Sequence, residues 1–366
     1  MIKKFKCPDT YIQGRDVLSD LGEYTEHLGS LGLTISDEVV MEIVEPLIEE
    51  AFESSRGSCI AEVFNGECTY EEIGRIASIA EEKDVDFVMG AGGGKTLDTA
   101  KAVGNKLEIP FVCIPTVAST DSPTSYQSVV YTEEGEFVEL IYHDRHPRLV
   151  VVDTRIIAEA PTRMFVSGVG DALATWFEAR TCYEAGNQNE VGGMATGAAL
   201  SLAELCYDNL RKYAEPAVEA VKSDRISPAV ETLIESNVLL SGLGFENGGL
   251  AAAHSIHNGL TVSRRTHDYL HGEKVAFGTL VQLTLENTSG KELKDLMEFC
   301  TSVGLPVSLE ELGLSDPDEA TLRKIAAKAV AKGESIHHEP FPMTAEAVAD
   351  AIATTDMLGR KVLGEG

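Results

Sequence analysis

The runs of β-branched residues that could form strands stop at Asp153, and long helical patterns take over. A chain that alternates strand and helix and then turns wholly helical is expected to build two domains. The first is α/β, the second all-helical, with the boundary near Pro161, giving 1–161 and 162–366. Strands are expected at 31–36, 59–64, 87–89, 110–114 and 149–152, with a hairpin of 127–131 and 137–142 around Glu133-Glu134-Gly135. Thr69-x-x-Glu72 is a capping box opening a helix to about Lys83. Helical patterns cover roughly 163–184, 193–213, 228–246, 248–261, 272–287, 318–332 and 344–359.

Composition excludes several function classes. A hydrophobic content of 43% over 366 residues supports a sizeable core, and no apolar run reaches the eighteen residues of a membrane span. The basic start, Lys3-Lys4-Phe5-Lys6, leads into Cys7-Pro8-Asp9 and not into the apolar run of a signal peptide. Seven scattered cysteines without a CxxC pair suggest reduced thiols and a cytoplasmic enzyme. Fifty-nine acidic against thirty basic residues leave a net charge of −29, which repels nucleic acid and anionic membranes. The acids are spread along the chain, as a solvated surface or an adaptation to high salt would require.

Two stretches carry chemistry. Residues 241–278 hold four of the nine histidines, His254, His257, His267 and His271. Histidines in a group, with a carboxylate such as Asp171, are the ingredients of a transition-metal site. The second stretch is Gly90–Gly94, which follows a strand and opens a helix carrying Asp98 and Lys101. Backbone N–H groups at such a helix start bind phosphate oxygens. The turn is not a Walker A loop, since Met89 stands where the first glycine belongs, nor GxGxxG, since Lys95 takes the third glycine's place. Asp37, ending an earlier strand, is a candidate for adenosine ribose hydroxyls.

Five long motifs, GAGGGKTLDTAKAV (90–103), IPTVASTDSPTS (114–125), GVGDALATWFEAR (168–180), SGLGFENGGLAAAHSIHNGL (241–260) and HGEKVAFGTLVQL (271–283), resemble those of the glycerol dehydrogenases in the iron-containing alcohol dehydrogenase superfamily. The resemblance runs over nearly the whole chain. It implies the dehydroquinate synthase-like fold, an α/β N-terminal dinucleotide-binding domain plus an all-α C-terminal domain. It implies metal ligands at Asp171, His254 and His271 and a substrate-contacting aspartate at Asp121. It implies NAD contacts at Asp37, Gly94, Lys95, Thr116, Ser119, Ser125, Gln127 and Tyr131, with only a backbone contact carrying over to Gln127. His257 falls outside the ligand set as a structural or supporting residue, and His267 is expected along the substrate cleft.

Two imidazoles and a carboxylate make a three-ligand catalytic zinc site with an open position. Asp171 is expected near a helix start, where the dipole keeps it ionised. The iron enzymes of the superfamily place a further histidine one turn after this aspartate; Thr175 stands there, which favours zinc. The implied activity is reversible, NAD-dependent oxidation of glycerol to dihydroxyacetone by a cytoplasmic homo-oligomer, an octamer in the family. Rivals are a glycerol-1-phosphate dehydrogenase or another polyol or diol dehydrogenase, a dehydroquinate-synthase-like lyase, and a non-catalytic metal- or nucleotide-binding protein. The two enzymes acting on phosphate or carboxylate substrates need basic groups by the substrate, and Arg264-Arg265 are the one nearby pair.

Overall fold

The computed structural model describes residues 2–135 and 137–364. The chain divides into two compact units, Cys7–Ala160 and a second built from residues 2–6 with 161–364. The short N-terminal segment joins the helical unit through a bridge between Lys3 and Met194 and through Asn247, which bonds both the Lys6 amide and its carbonyl.

The first unit is built on β1 (Thr10–Gly14), β2 (Leu31–Ser36), β3 (Ser58–Val63), β4 (Phe87–Gly92), β5 (Phe111–Pro115) and β8 (Leu149–Asp153). They form one parallel sheet in the order β1-β8-β5-β4-β2-β3, and β6 (Gln127–Tyr131) and β7 (Phe137–Tyr142) form a separate antiparallel hairpin. Period-two alternation sends the strands' side chains into two cores. Phe87, Met89, Ala91, Val112, Ile114, Leu149 and Val151 pack with Val44 and Ile48 of the helix Glu38–Glu53. Leu33, Ile35 and Val88 pack instead with Ile73 and Ile76 of Tyr70–Glu82 and Ala100 and Val103 of Gly94–Lys106. The expected strands and hairpin are present. Thr69 caps its helix by accepting from Glu72 N, but the capping box is not completed, because the Glu72 carboxylate accepts from Asn65 and Arg75 instead of the Thr69 amide. Strand β1 was not anticipated: TYIQG lies at the sheet edge, partly exposed, and so lacks an apolar run.

The second unit is helical. Thr162–Glu184 and His271–Leu285 lie at its centre, buried along most of their length, polar positions such as Asp171, Glu178 and Gln282 included. Two glycines set how closely they approach. A Cβ on Gly272 would overlap the Ser167 carbonyl oxygen, and one on Gly170 would overlap that of Gly272. The backbones therefore touch, and the residues next to these glycines, Asp171 and His271, are brought together. The pattern expected as one helix over 228–246 is Pro228–Glu235 and Ser241–Gly248 joined by a π turn at Ser236–Leu240. The helix expected to begin at 248 begins at Ala252. Gly249 has a φ of 104° and lies against the Cys182 side chain, so the chain turns before restarting. The helix Gly290–Val303 was not anticipated, although Leu293, Leu296, Met297 and Cys300 fall at helical spacing.

Candidate functional site

In the helical unit Asp171, His254 and His271 converge, each offering a ligand atom within 4.8 Å of the others. His271 Nε2 lies 3.1 Å and His254 Nε2 3.5 Å from Asp171 Oδ1. Asp171 is 1% exposed. It sits in the interior of the helix Thr162–Glu184 and not near its start, which corrects the helix-dipole expectation. Burial alone would push its carboxyl up; the His271 and His254 imidazoles outweigh that and hold it well below the usual carboxylate range. The aspartate is thus kept ionised by its neighbours. An ionised carboxylate and two imidazoles whose Nε2 atoms face it are the donor set of a divalent transition-metal site, and the three residues fit such an ion.

Each imidazole is held through its other nitrogen. His254 Nδ1 lies 2.6 Å from Glu178 Oε2. Burial opposes a charged His254 ring, but Glu178 and Asp171 hold it well above its ordinary value in the metal-free chain. His271 Nδ1 lies 3.0 Å from His257 Nε2, and His257 Nδ1 lies 3.1 Å from Asn258 Oδ1. Asn258 donates to Glu334, which pairs with Lys328. Burial and the facing His271 push His257 well below its ordinary value, so this ring is neutral. A neutral ring accepts from His271 at Nε2 and donates to Asn258 at Nδ1, which gives the chain one direction. His271 opens its helix, and the start is fixed by Glu273, which accepts from the Leu270 amide and pairs with Arg163.

Of the four histidines singled out in the sequence, His257 thus backs His271. His267 is exposed and bonds the Thr261 carbonyl. Thr175 bonds Ser241 Oγ at 2.8 Å. Glu178 was missed. The available signal was its spacing: seven residues after Asp171 it lies on the same face of one helix.

In the α/β unit, Asp37, Gly94 and Thr116 follow the carboxyl ends of the adjacent strands β2, β4 and β5. That is where open parallel sheets bind ligands. Asp37 caps the helix Glu38–Glu53, its Oδ1 accepting from Val39 N and Val40 N. Gly93 caps Gly94–Lys106 without a side chain, leaving that helix start open towards an anion. Lys95 is exposed, pairs with Glu67 and lies over the Tyr131 ring. The loop that carries Ser119, Asp121 and Ser125 is pinned from below. Lys101, fully buried, lies 2.7 Å from Asp98 and donates to the Ser122 carbonyl and to Ser122 and Ser125 Oγ. Asp98 in turn accepts from Ser122 Oγ and Val129 N. Asp121 is 8% exposed at the start of the turn Ser122–Thr124, and Ser119 lies half-buried before it. Thr116, Ser125 and Gln127 are buried.

Known proteins agree with this architecture. The iron-containing alcohol dehydrogenase family matches residues 8–154. A glycolaldehyde reductase of Halobacterium salinarum is 48% identical, covering 99% of both chains. A glycerol dehydrogenase of Citrobacter freundii is 47% identical over 99% of this chain and 100% of its own. The crystal structure of glycerol dehydrogenase from Schizosaccharomyces pombe superposes with a TM-score of 0.96 at 35% identity, over 100% of this chain and 93% of that one. With relatives of this identity matched from end to end, the chain belongs to the iron-containing alcohol dehydrogenase family.

Proposed function

We propose that the chain oxidises glycerol to dihydroxyacetone, reversibly, with NAD as hydride acceptor and zinc held by Asp171, His254 and His271. The observation that carries this reading is the convergence of those three side chains in a chain matched end to end by glycerol dehydrogenases. Zinc would supply Lewis acidity towards a substrate hydroxyl, and NAD would accept the hydride. Zinc is favoured over iron because Thr175, in the place of a fourth ligand, is turned to Ser241. The chain's own residues do the rest. Asp171 keeps its charge in a buried place, Glu178 and His257 orient the two rings, and Asp121 receives a substrate hydroxyl.

Asp37, Gly94, Lys95, Thr116, Ser119, Ser125, Tyr131 and the Gln127 backbone are the proposed NAD contacts. A carboxylate at Asp37 accepts ribose hydroxyls and repels a 2′-phosphate, so NAD is preferred to NADP. Arg264 and Arg265 are exposed, which speaks against a phosphorylated substrate. The proposed setting is a cytoplasmic homo-oligomer, an octamer, with an acidic surface suited to high salt. Among the described residues no helix is long and apolar enough to cross a membrane.

A second reading, reduction of glycolaldehyde, is favoured by the Halobacterium relative. Both substrates place a hydroxyl beside the reacting carbon, so one site can serve either. NADH absorbance with glycerol and NAD, and separately with glycolaldehyde and NADH, each with and without a chelator, tests the proposal. Chelator-sensitive turnover of glycerol is expected. Turnover of glycolaldehyde alone would transfer the assignment to the second reading, and full activity in chelator would remove the metal from it.

A further inference from the structure

The helix Ala252–Leu260 that carries His254 begins without a capping side chain of its own, because its N-cap residue is Ala251. Its first amides are received by two side chains from other helices. Gln282 Oε1 accepts from Ala252 N at 3.1 Å and Ala253 N at 3.0 Å. Glu178 Oε1 accepts from Ala251 N at 2.9 Å and His254 N at 3.1 Å. The two caps do the same work on the backbone, and Gln282 does it without charge. Glu178 is 0% exposed, and a carboxylate is costly to bury. Capping therefore does not account for the charge. The remaining contact does: Glu178 Oε2 lies 2.6 Å from His254 Nδ1.

A ligating imidazole presents a lone pair on one nitrogen and carries its proton on the other. A carboxylate only accepts, so it fixes a proton on Nδ1 and leaves Nε2 as the nitrogen that can give its lone pair to an ion. A glutamine in the same place cannot do this. Its amide oxygen would be taken by the two backbone amides, and its NH2 group would face Nδ1 and donate. The ring proton would then move to Nε2 and occupy the ligand position.

We propose that Glu178 is a positioning residue of the metal centre, holding His254 in the tautomer and orientation that offers Nε2 to the ion. The inference rests on the metal reading above. It is tested with the metal-stripped full-length chain and zinc alone, titrated against a chromophoric chelator, beside the melting temperature of the metal-free protein. Glu178→Gln keeps the cap but removes the charge that faces the His254 ring, so the metal-free protein should melt lower, and it should bind zinc about 10–100-fold more weakly. Gln282→Ala, which loses a cap and no ring contact, should melt lower and keep its zinc affinity. Native affinity in Glu178→Gln overturns the proposal, and so does an equal loss in Gln282→Ala, which would mean that helix fraying alone is felt. A native chain that takes up no divalent ion overturns the metal centre and this inference with it. If Glu178→Gln fails to fold, the zinc-loaded native chain labelled with 15N-histidine decides. A proton on Nδ1 of His254 supports the proposal, and a proton on Nε2 overturns it.

Discussion

Both units bury an aspartate on a central helix, and they treat its charge in opposite ways. Asp98 meets the ammonium of Lys101, one turn on, and the remaining oxygens and protons of the pair are taken up by Ser122, Ser125 and Val129 N. The charges cancel within the fold, and what results is a pinned loop. Asp171 meets imidazoles, which are neutral whenever their lone pairs are used for ligation. With Glu178 close behind, this cluster then holds two negative charges and suits a dication. A buried charge that closes on itself holds structure; one balanced by groups able to become neutral is open to a ligand.

The comparison breaks most sharply at the ligands. Asp171→Asn or His271→Ala should lose bound zinc and activity together, by roughly a thousand-fold or more, because a Lewis acid contributes several kcal/mol to the reaction. Elemental analysis finding full zinc in His271→Ala would end the assignment. Asp98→Ala should do the reverse, losing about 3–5 kcal/mol in urea unfolding because it strands a buried ammonium, while zinc content holds. A loss under ~1 kcal/mol would mean that the pair is not closed as described.

A third buried carboxylate shows another outcome. Glu339 is 6% exposed, and burial, with Glu286 and Glu178 nearby, pushes its carboxyl up to about 8. An unfolded glutamate releases its proton near 4.5. Between those values the unfolded state binds fewer protons, so stability falls as pH rises, by at most ~1.4 kcal/mol per unit, and levels off above about 8. Glu339→Gln should flatten that fall, seen as urea curves of the two proteins diverging between pH 5 and 8. Parallel curves would mean that Glu339 is already ionised.

Smaller effects follow elsewhere in the molecule. Asp121→Ala should raise the glycerol KM about ten-fold, the worth of one hydrogen bond, and spare NAD binding. Collapse of NAD affinity with an unchanged KM would move Asp121 out of the substrate site. The net charge of −29 repels itself across any subunit interface. The screening length is about 30 Å at low salt and ~3 Å at 1 M. Assembly and melting temperature should therefore rise by a few degrees between about 0.1 and 2 M KCl, while the buried metal site is less affected. Sizing chromatography and melting curves at both salts check this. An unchanged assembly and melting temperature would leave the acidity as a solvated surface.

The sequence by itself determined the two classes of secondary structure and their order. A strand buried on both faces reads as a near-continuous apolar run, as LVVVD does, and an amphipathic helix repeats its apolar positions every three to four residues. It also supplied the ligand types and, through the long motifs, the family. Strand TYIQG escaped because an edge strand has no such run to display. Only the tertiary structure decided the rest. Asp171 and His271 are a hundred residues apart, and their meeting depends on two glycines that let backbones touch. The hydroxyl of Thr175 is taken up by Ser241, which another helix brings against it. Glu178 reads as one acid among fifty-nine until the turn at Gly249 places a helix start and an imidazole against it. Local sequence sets propensities over a few turns of chain, whereas the partner of a buried polar group is set by which elements pack against it, and that is a property of the whole fold.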